Sequence, residues 1–183
     1  MYRYDHLDAT LQSGQLVRFD IGCEWAHYGG DLGRTVPVSG KYTPEQREIW
    51  DALVAAYRAA ARTLREGTTE DQVFTAWRDE LLRQRQSARN DLTRRAIDRW
   101  TDRKNVPNWQ LHTMTIDAGP VGGALRAGTV IDFEPIVSID ELGFYLEDMF
   151  LITKDGAEDL TPGIPFTADE IEAAMRKGKS AMK

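Results

Sequence analysis

The sequence is poor in cysteine, in long apolar segments and in net positive charge. Its 183 residues include a single cysteine, Cys23, so no disulfide can form within the chain. Residues 1–15 lack the basic stretch followed by an apolar stretch that marks a secretory signal. These two absences predict a protein of the reducing cytoplasm.

The absence of long apolar runs and the acidic balance exclude further classes of partner. No apolar run approaches the roughly 20 residues of a membrane-spanning helix, so we expect no membrane span. The formal net charge is −6, which disfavours binding to nucleic acid or to an anionic membrane surface. A peptide, a small polar molecule or another protein chain therefore stays open as a partner.

Length and hydrophobic patterning predict one α+β domain over residues 1–183. Thr43, Pro44 and Gln46 have the arrangement that is typical of a helix start, and apolar residues at helical spacing follow until Gly67. Runs rich in β-branched and aromatic residues predict strands before and after the helical part. The predicted elements are strands over 15–25 and 34–40, helices over 44–66, from 70 and over about 89–102, strands over 129–139 and 144–153, and a helix from 168.

Two segments far apart in the chain share one plan. Residues 11–20 (LQSGQLVRFD) and 125–134 (LRAGTVIDFE) match in leucine, glycine, phenylalanine and a final carboxylate at equal offsets. Asp31 follows Asp20 in a glycine-rich segment that we interpret as a turn, and Glu147 follows Glu134 at a similar distance. If the two halves are related by a local twofold, four carboxylates meet at their boundary.

Four carboxylates in one cleft require a positive partner, because each negative charge raises the pKa of its neighbours. Carboxylates together with one imidazole are ligands for manganese, cobalt, iron or zinc, and His112 is the imidazole candidate. Any single carboxylate is better explained as a surface residue of an acidic protein. The repeated offsets, more than the number of carboxylates, favour a metal site.

The same residues lie in longer motifs: LVRFDIG, GGDLGRTVPVSGKYTPEQREIW, LRAGTVIDFEP and YLEDMFLITKDGAEDLTPG. These motifs resemble those of the creatinase, aminopeptidase P and methionine aminopeptidase family, the pita-bread metallohydrolases, and are most like its Xaa-Pro aminopeptidase members. The resemblance covers nearly the whole chain. It implies an α+β pita-bread fold that is incomplete on the amino-terminal side.

The resemblance also implies a site and a reaction. Family members bind two divalent ions through residues that match Asp20, Asp31, His112, Glu134 and Glu147. The matches of Asp31 and Glu147 bridge the ions, the match of Asp20 chelates one, and those of His112 and Glu134 complete the other. The implied function is a metallopeptidase that uses manganese, or else cobalt, zinc or iron, and releases N-terminal residues from Xaa-Pro peptides. Glu134 is then the catalytic residue, which carries a proton from water to the leaving amine.

The chain departs from the family pattern after His112. Thr113 and Thr115 stand where glycines are usual, and residues 117–124 contain Gly119 but no second histidine. Loss of such a donor weakens turnover by about 10² to 10³ and leaves metal binding intact. Two alternatives therefore stay open: a metal-binding protein that acts on a non-peptide substrate, and a catalytically inactive partner subunit.

The amino-terminal side departs as well. Family catalytic domains begin well upstream of the segment that matches residues 11–20. His6 could replace a histidine of the part that is lacking, but a terminal histidine without a role is the simpler interpretation. A shortened first half leaves strand edges unpaired, so we expect a homodimer or a missing partner chain.

Two residues near Asp31 are candidates for contacts behind the ligands. His27 could support the site or be merely exposed. Arg34 could hold a bridging carboxylate or form an ordinary surface ion pair.

Overall fold

Four helices and seven strands make up the part of the chain that the computed structural model describes, residues 10–105, 108–114 and 119–181. This mixture of elements confirms the predicted α+β class. No helix within these ranges is both long and apolar enough to cross a membrane. In chain order the elements are β1 (Leu16–Trp25), β2 (Tyr28–Pro37), α1 (Pro44–Ala61), α2 (Glu70–Ser87), α3 (Asp91–Trp100), β3 (Asn108–Thr113), β4 (Gly119–Pro120), β5 (Val130–Ile139), β6 (Leu142–Ile152), β7 (Ala157–Asp159) and α4 (Ala168–Ala181).

The strands form one antiparallel sheet in the order β1-β2-β6-β5-β3-β4, with β7 paired to β6. The hairpins β1–β2 and β5–β6 lie side by side, because β2 pairs with β6 where Gly33 faces Glu147. The order β1-β2-β6-β5 is therefore symmetric about the β2–β6 boundary. This symmetry is the arrangement that the repeated sequence plan predicts.

Helices α1, α2 and α3 pack on one face of the sheet through aromatic residues. The ring of Tyr57 on α1 stacks on Phe133 at 4.5 Å between centroids, and Trp77 on α2 meets the same ring edge-on at 6.4 Å. Trp100 on α3 meets Phe144 on β6 at 6.1 Å. All five side chains are buried, and each contributes about 1.5–3 kcal/mol by leaving water. This packing leaves the opposite face of the sheet for other contacts.

The helix starts agree with the sequence more closely than the helix ends. Thr43 and Gln46 form the predicted capping box, and Thr69 and Gln72 form a second one. The expectation that α1 continues to Gly67 is wrong, because the helix ends at Ala61. Beyond it the backbone tightens into turns whose N–H groups bond three residues back, and apolar spacing does not reveal this change.

The interpretation of Asp31 as a turn residue is wrong. Asp31 lies within β2, which begins at Tyr28, well before the predicted start at residue 34. The turn is formed by Ala26 and His27, whose φ angles are 51° and 67°. The glycines around Asp31 instead permit close approach: a Cβ on Gly33 would lie 2.1 Å from the Tyr145 ring.

Candidate metal centre

The sheet face opposite the helices carries the acidic residues in two rows that cross the strands. Successive side chains along a strand point to opposite faces of the sheet. A residue that directly precedes or follows a helix-packed residue therefore points to the face opposite the helices. The register then sets neighbours: Gly33 faces both Asp20 and Glu147, and Asp132 faces both His112 and Met149. The first row contains Asp20, Gly33, Glu147 and Glu134; the second row contains Asp31, Met149, Asp132 and His112.

All five side chains that the sequence marks as ligand candidates meet between these rows. They form two groups of three, and within each group one ligand atom per residue lies within 4.8 Å of the others. One group is Asp20, Asp31 and Glu147; the other is His112, Glu134 and Glu147. Glu147 belongs to both groups, so the two groups are adjacent and share one carboxylate.

Asp31 is oriented by the backbone around it. Its Oδ1 accepts a hydrogen bond from the N–H of Leu32 at 3.0 Å, and its own N–H donates to Sδ of Met149 at 3.2 Å. Burial raises the pKa of Asp31, the bond from Leu32 lowers it, and the nearby charges of Asp20 and Glu134 raise it further. A cation bound nearby would lower the pKa of Asp31 again, because it favours the ionised carboxylate.

Glu147, the shared residue, is almost fully buried and is held by Tyr145. The Tyr145 hydroxyl donates to Oε2 of Glu147 in a short hydrogen bond. Burial raises the pKa of Glu147 to about 8; the bond from Tyr145 lowers it, and the charges of Asp31 and Glu134 raise it. A carboxylate in such surroundings favours a bound cation over solvent exposure.

His112 and Glu134 contact each other at the other side of the site. Nε2 of His112 lies 3.3 Å from Oε2 of Glu134, and both side chains are largely buried. The hydrogen bond to Glu134 is the main cause that raises the pKa of His112, with burial acting against it. In this arrangement both groups turn their ligand atoms to the same point beside Glu147.

Asp132 is a further acid on this face that the sequence analysis missed. It is fully buried, and neither of its carboxylate oxygens has a hydrogen-bond partner among the described residues. Burial raises its pKa to about 10, and the charges of Glu147, Asp31 and Glu134 add to this effect. The alternation in VIDFEP places Asp132 on the face of Glu134, and this signal could have identified it.

Arg34 lies behind the site, on the helix face of the sheet. It is 7% exposed, so the surface ion pair considered from the sequence is wrong. Its guanidinium group donates to the main-chain oxygens of Gly33 (2.7 Å), Glu147 (2.5 Å) and Pro165 (2.9 Å), and to Oδ1 of Asp148 (2.6 Å). Arg34 thus fixes the backbone of β6 at Glu147 and does not contact the carboxylate of Glu147.

The remaining candidates are His27, Thr113, His6 and Thr115. The His27 side chain is 88% exposed in the β1–β2 turn and lies 3.4 Å from Glu24. Thr113 ends β3 opposite Gly119. His6 and Thr115 lie outside the described residues.

The donor set fits divalent cations. It combines four carboxylates with one imidazole, and burial disfavours the negative charges of Asp31 and Glu147 in the absence of a positive partner. Oxygen-rich ligands with one nitrogen suit manganese, cobalt, iron or zinc.

Comparison with known proteins agrees with this geometry. The model of metallopeptidase family M24 matches residues 1–154 of the chain. The match spans most of the chain and includes both groups of candidate ligands. The chain therefore belongs to metallopeptidase family M24.

Curated relatives and solved structures are similar to the chain over nearly its whole length. The Xaa-Pro aminopeptidase of Haemophilus influenzae is 30% identical across 94% of the chain and 44% of that protein, and the Escherichia coli enzyme of the same name is 28% identical across 94% and 43%. Aminopeptidase P from E. coli with the inhibitor Pro-Leu superposes with a TM-score of 0.78 at 28% identity, over 97% of this chain and 45% of that one. A putative aminopeptidase P from Bacillus anthracis gives 0.78 at 26% identity, over 95% and 42%.

These comparisons confirm the predicted fold, and they limit what can be concluded about function. The chain has the pita-bread fold of its family in partial form. It spans less than half the length of the relatives it matches, so their activity and substrates come to this chain only as proposals.

Proposed function

We propose that the chain carries the metal centre of a dinuclear metal-dependent hydrolase, a metallopeptidase of the Xaa-Pro aminopeptidase type. The observation that supports this most strongly is the sharing of Glu147 between two groups of ligand atoms. One group alone would suit a single ion, whereas a shared carboxylate suits two ions that act together.

In this proposal Asp20 and Asp31 would hold one ion, His112 and Glu134 would hold the other, and Glu147 would contribute to both positions. The bound pair would make a water molecule acidic near neutral pH and polarise the carbonyl of the scissile amide. Glu134 would accept a proton from the attacking water and pass it to the leaving amine. His112, whose Nε2 is 3.3 Å from Glu134, helps to orient that carboxylate.

The proposed substrate class is a peptide whose second residue is proline. The support comes from relatives named Xaa-Pro aminopeptidase that are similar across more than nine tenths of the chain. Manganese is the proposed metal, because four carboxylates and one imidazole form a harder donor set than the sulfur- and nitrogen-rich sets that select zinc. Cobalt, iron and zinc are the other ions to be compared.

We propose a homodimer built on the edge strand β1. One face of β1 carries three apolar side chains at every second or fourth position: Phe19, Ile21 and Trp25. They are 46%, 55% and 85% exposed, so this face is apolar and is not covered by the described residues. Such an edge favours pairing with another chain. Light scattering should give a dimer that Ile21→Lys dissociates, and a wild-type monomer at all concentrations would favour a separate partner chain.

We keep two further sequence expectations as proposals. A cytoplasmic location is supported by the exposed, unpaired thiol of Cys23, which suits a reducing compartment. A single domain over residues 1–183 is supported by the one core cluster that joins α1–α3 to the sheet.

A second candidate is a hydrolase of the same scaffold with a non-peptide substrate. It is favoured by one observation: Thr113 occupies a position next to His112 where the family has a glycine, and the chain has no histidine between His112 and its end. A catalytically inactive partner subunit follows from the same observation.

Metal analysis and a peptide panel distinguish these candidates. Protein loaded with manganese should release the first residue from Xaa-Pro peptides, and Glu134→Gln should remove this activity. Metal binding without peptide cleavage would select the second candidate. Function that is unchanged in Glu134→Gln would select the inactive partner subunit, and failure to bind manganese at saturation would reject the metal-dependent proposals.

A further inference from the structure

Asp132 is a buried acid without a partner. Its side chain is fully buried, and both carboxylate oxygens lack a hydrogen-bond donor among the described residues. Asp148, the next buried aspartate along the sheet, contrasts with it, since Arg34 and Thr161 both donate to its Oδ1. An unsatisfied buried polar group is unfavourable by about 1–3 kcal/mol, and a charged one by more. Among the described residues, Asp132 is therefore the acid of this face that most needs a positive or hydrogen-bonding partner.

The strand register directs Asp132 into the metal centre. Asp132 faces His112 on β3 and Met149 on β6, and it lies two residues before Glu134 on the same strand. Residues that face each other across strands, and residues two apart along a strand, point to the same side of the sheet. Glu147 lies two residues before Met149 on β6, so its side chain points to the same side of the sheet as Asp132.

We propose that Asp132 is a further acidic residue of the metal centre, which raises the affinity of the cation position formed by His112, Glu134 and Glu147. This inference rests on the metal binding proposed above. The Asp132 oxygens belong to neither group of ligand atoms, so Asp132 would act through its charge and not as a ligand. Once a nearby cation favours the ionised form of Asp132, the two opposite charges attract through a water-poor medium, where charges interact more strongly than in solvent.

The charge of Asp132 has opposite effects on the metal-free and the metal-bound protein. Without a cation, an ionised Asp132 would repel the carboxylates beside it. With a bound cation, Asp132 would have a positive charge nearby to attract it. Carboxylates behind a metal's ligands typically contribute about 10- to 100-fold in metal affinity. The effect should be larger at the position that contains His112, which pairs with Asp132 across the strands, than at the one formed by Asp20 and Asp31.

The experiment is manganese titration by calorimetry on the full chain, with thermal unfolding of the metal-free protein as the second measurement. The variants are Asp132→Asn, which keeps the shape, and Asp132→Leu, which removes all polarity. Glu158→Gln removes one negative charge from an exposed position on β7 and is the control for net charge. We expect both Asp132 variants to weaken one of the two binding steps about 10- to 100-fold and the other by less than about threefold. Their metal-free melting temperatures should be equal to the wild-type value or higher.

Each other result has a defined meaning. Unchanged manganese affinity in both Asp132 variants, with two ions bound by the wild type, would overturn the role of Asp132 and leave the proposed function intact. Equal weakening by Glu158→Gln would also overturn it, since net charge would then be the cause. Loss of folding in Asp132→Asn would show that the carboxylate serves the fold itself. A wild type that binds no manganese would reject both proposals together.

Discussion

Tyr145 donates a hydrogen bond from its hydroxyl group to Oε2 of Glu147, the carboxylate that both candidate cation positions share. The guanidinium carbon of Arg18 lies 5.1 Å from the centre of the Tyr145 ring, and Gly33 leaves the space that the ring fills. The bond occupies one oxygen of Glu147 and so limits how this side chain can rotate. Tyr145 is thereby placed to orient the residue that both groups of ligand atoms share.

Removal of the Tyr145 hydroxyl should weaken metal binding at both positions. Tyr145→Phe keeps the ring and its contact with Arg18 but leaves Glu147 without its donor. We expect manganese affinity to fall about 10- to 100-fold in both binding steps, measured by calorimetry. Tyr28→Phe, which removes the hydroxyl that donates to the main-chain oxygen of Met114, is the matched control. Wild-type affinity in Tyr145→Phe would refute the orienting role.

Gly33→Ala should destabilise the protein by overpacking. The added Cβ would lie 2.1 Å from Cε1 of Tyr145, a distance at which the ring must move. Overpacking of this kind typically lowers the free energy of unfolding by about 1–3 kcal/mol, which urea denaturation can measure. Gly143→Ala is the control, because a Cβ there meets nothing within 4 Å. Equal stability of the two variants would be inconsistent with the packing described for β2 and β6.

Arg34→Met should destabilise the fold more strongly than Gly33→Ala. It leaves Asp148 buried with Thr161 as its remaining side-chain donor, and it removes donors from the main chain at Glu147. Loss of one partner of a buried ion pair typically lowers the free energy of unfolding by about 3–5 kcal/mol. The double variant Arg34→Met with Asp148→Leu should recover part of this loss, measured by urea denaturation. A loss below about 1 kcal/mol in the single variant would contradict the structural role of Arg34.

The metal-free protein should become less stable as the pH rises from about 5 to about 8. Burial raises the pKa of Glu147 from 4.5 to about 8, so in this range the folded chain retains a proton that the unfolded chain has released. The stabilisation is fully present below pH 4.5 and is lost as the pH passes the folded-state value. Asp31 and Asp132 are shifted in the same direction.

Thermal unfolding in EDTA across this pH range measures the effect. Saturating manganese should reverse the trend, because the ion binds the ionised carboxylates. Glu147→Gln should reduce the slope in EDTA. A metal-free melting temperature that increases steadily between pH 5 and pH 8 would be the opposite result.

The sequence predicted the α+β class, the helix starts and the five side chains that meet at the centre. The repeated plan made this possible, because equal offsets on paired strands keep residues such as Asp20 and Glu134 on one face. The capping residues Thr43 and Thr69 act through neighbours three positions away, so local sequence was sufficient for them.

Features that depend on pairing between distant strands were not accessible in the same way. The glycines beside Asp31 indicate a turn when considered locally, but the need for Gly33 arises from Tyr145 on another strand. The role of Tyr145 toward Glu147 depends on a rotamer that the sequence does not specify. Asp132 was missed because its isolation becomes visible only when its neighbours on β3 and β6 are known.

Counting the manganese ions that each of three proteins binds tests the central claim most directly. Equilibrium dialysis with elemental analysis should find about two ions per chain in the wild type, about one in His112→Ala and none in Glu147→Ala, because both positions share Glu147. One ion retained by Glu147→Ala at wild-type affinity, or none bound by the wild type, would contradict the shared centre.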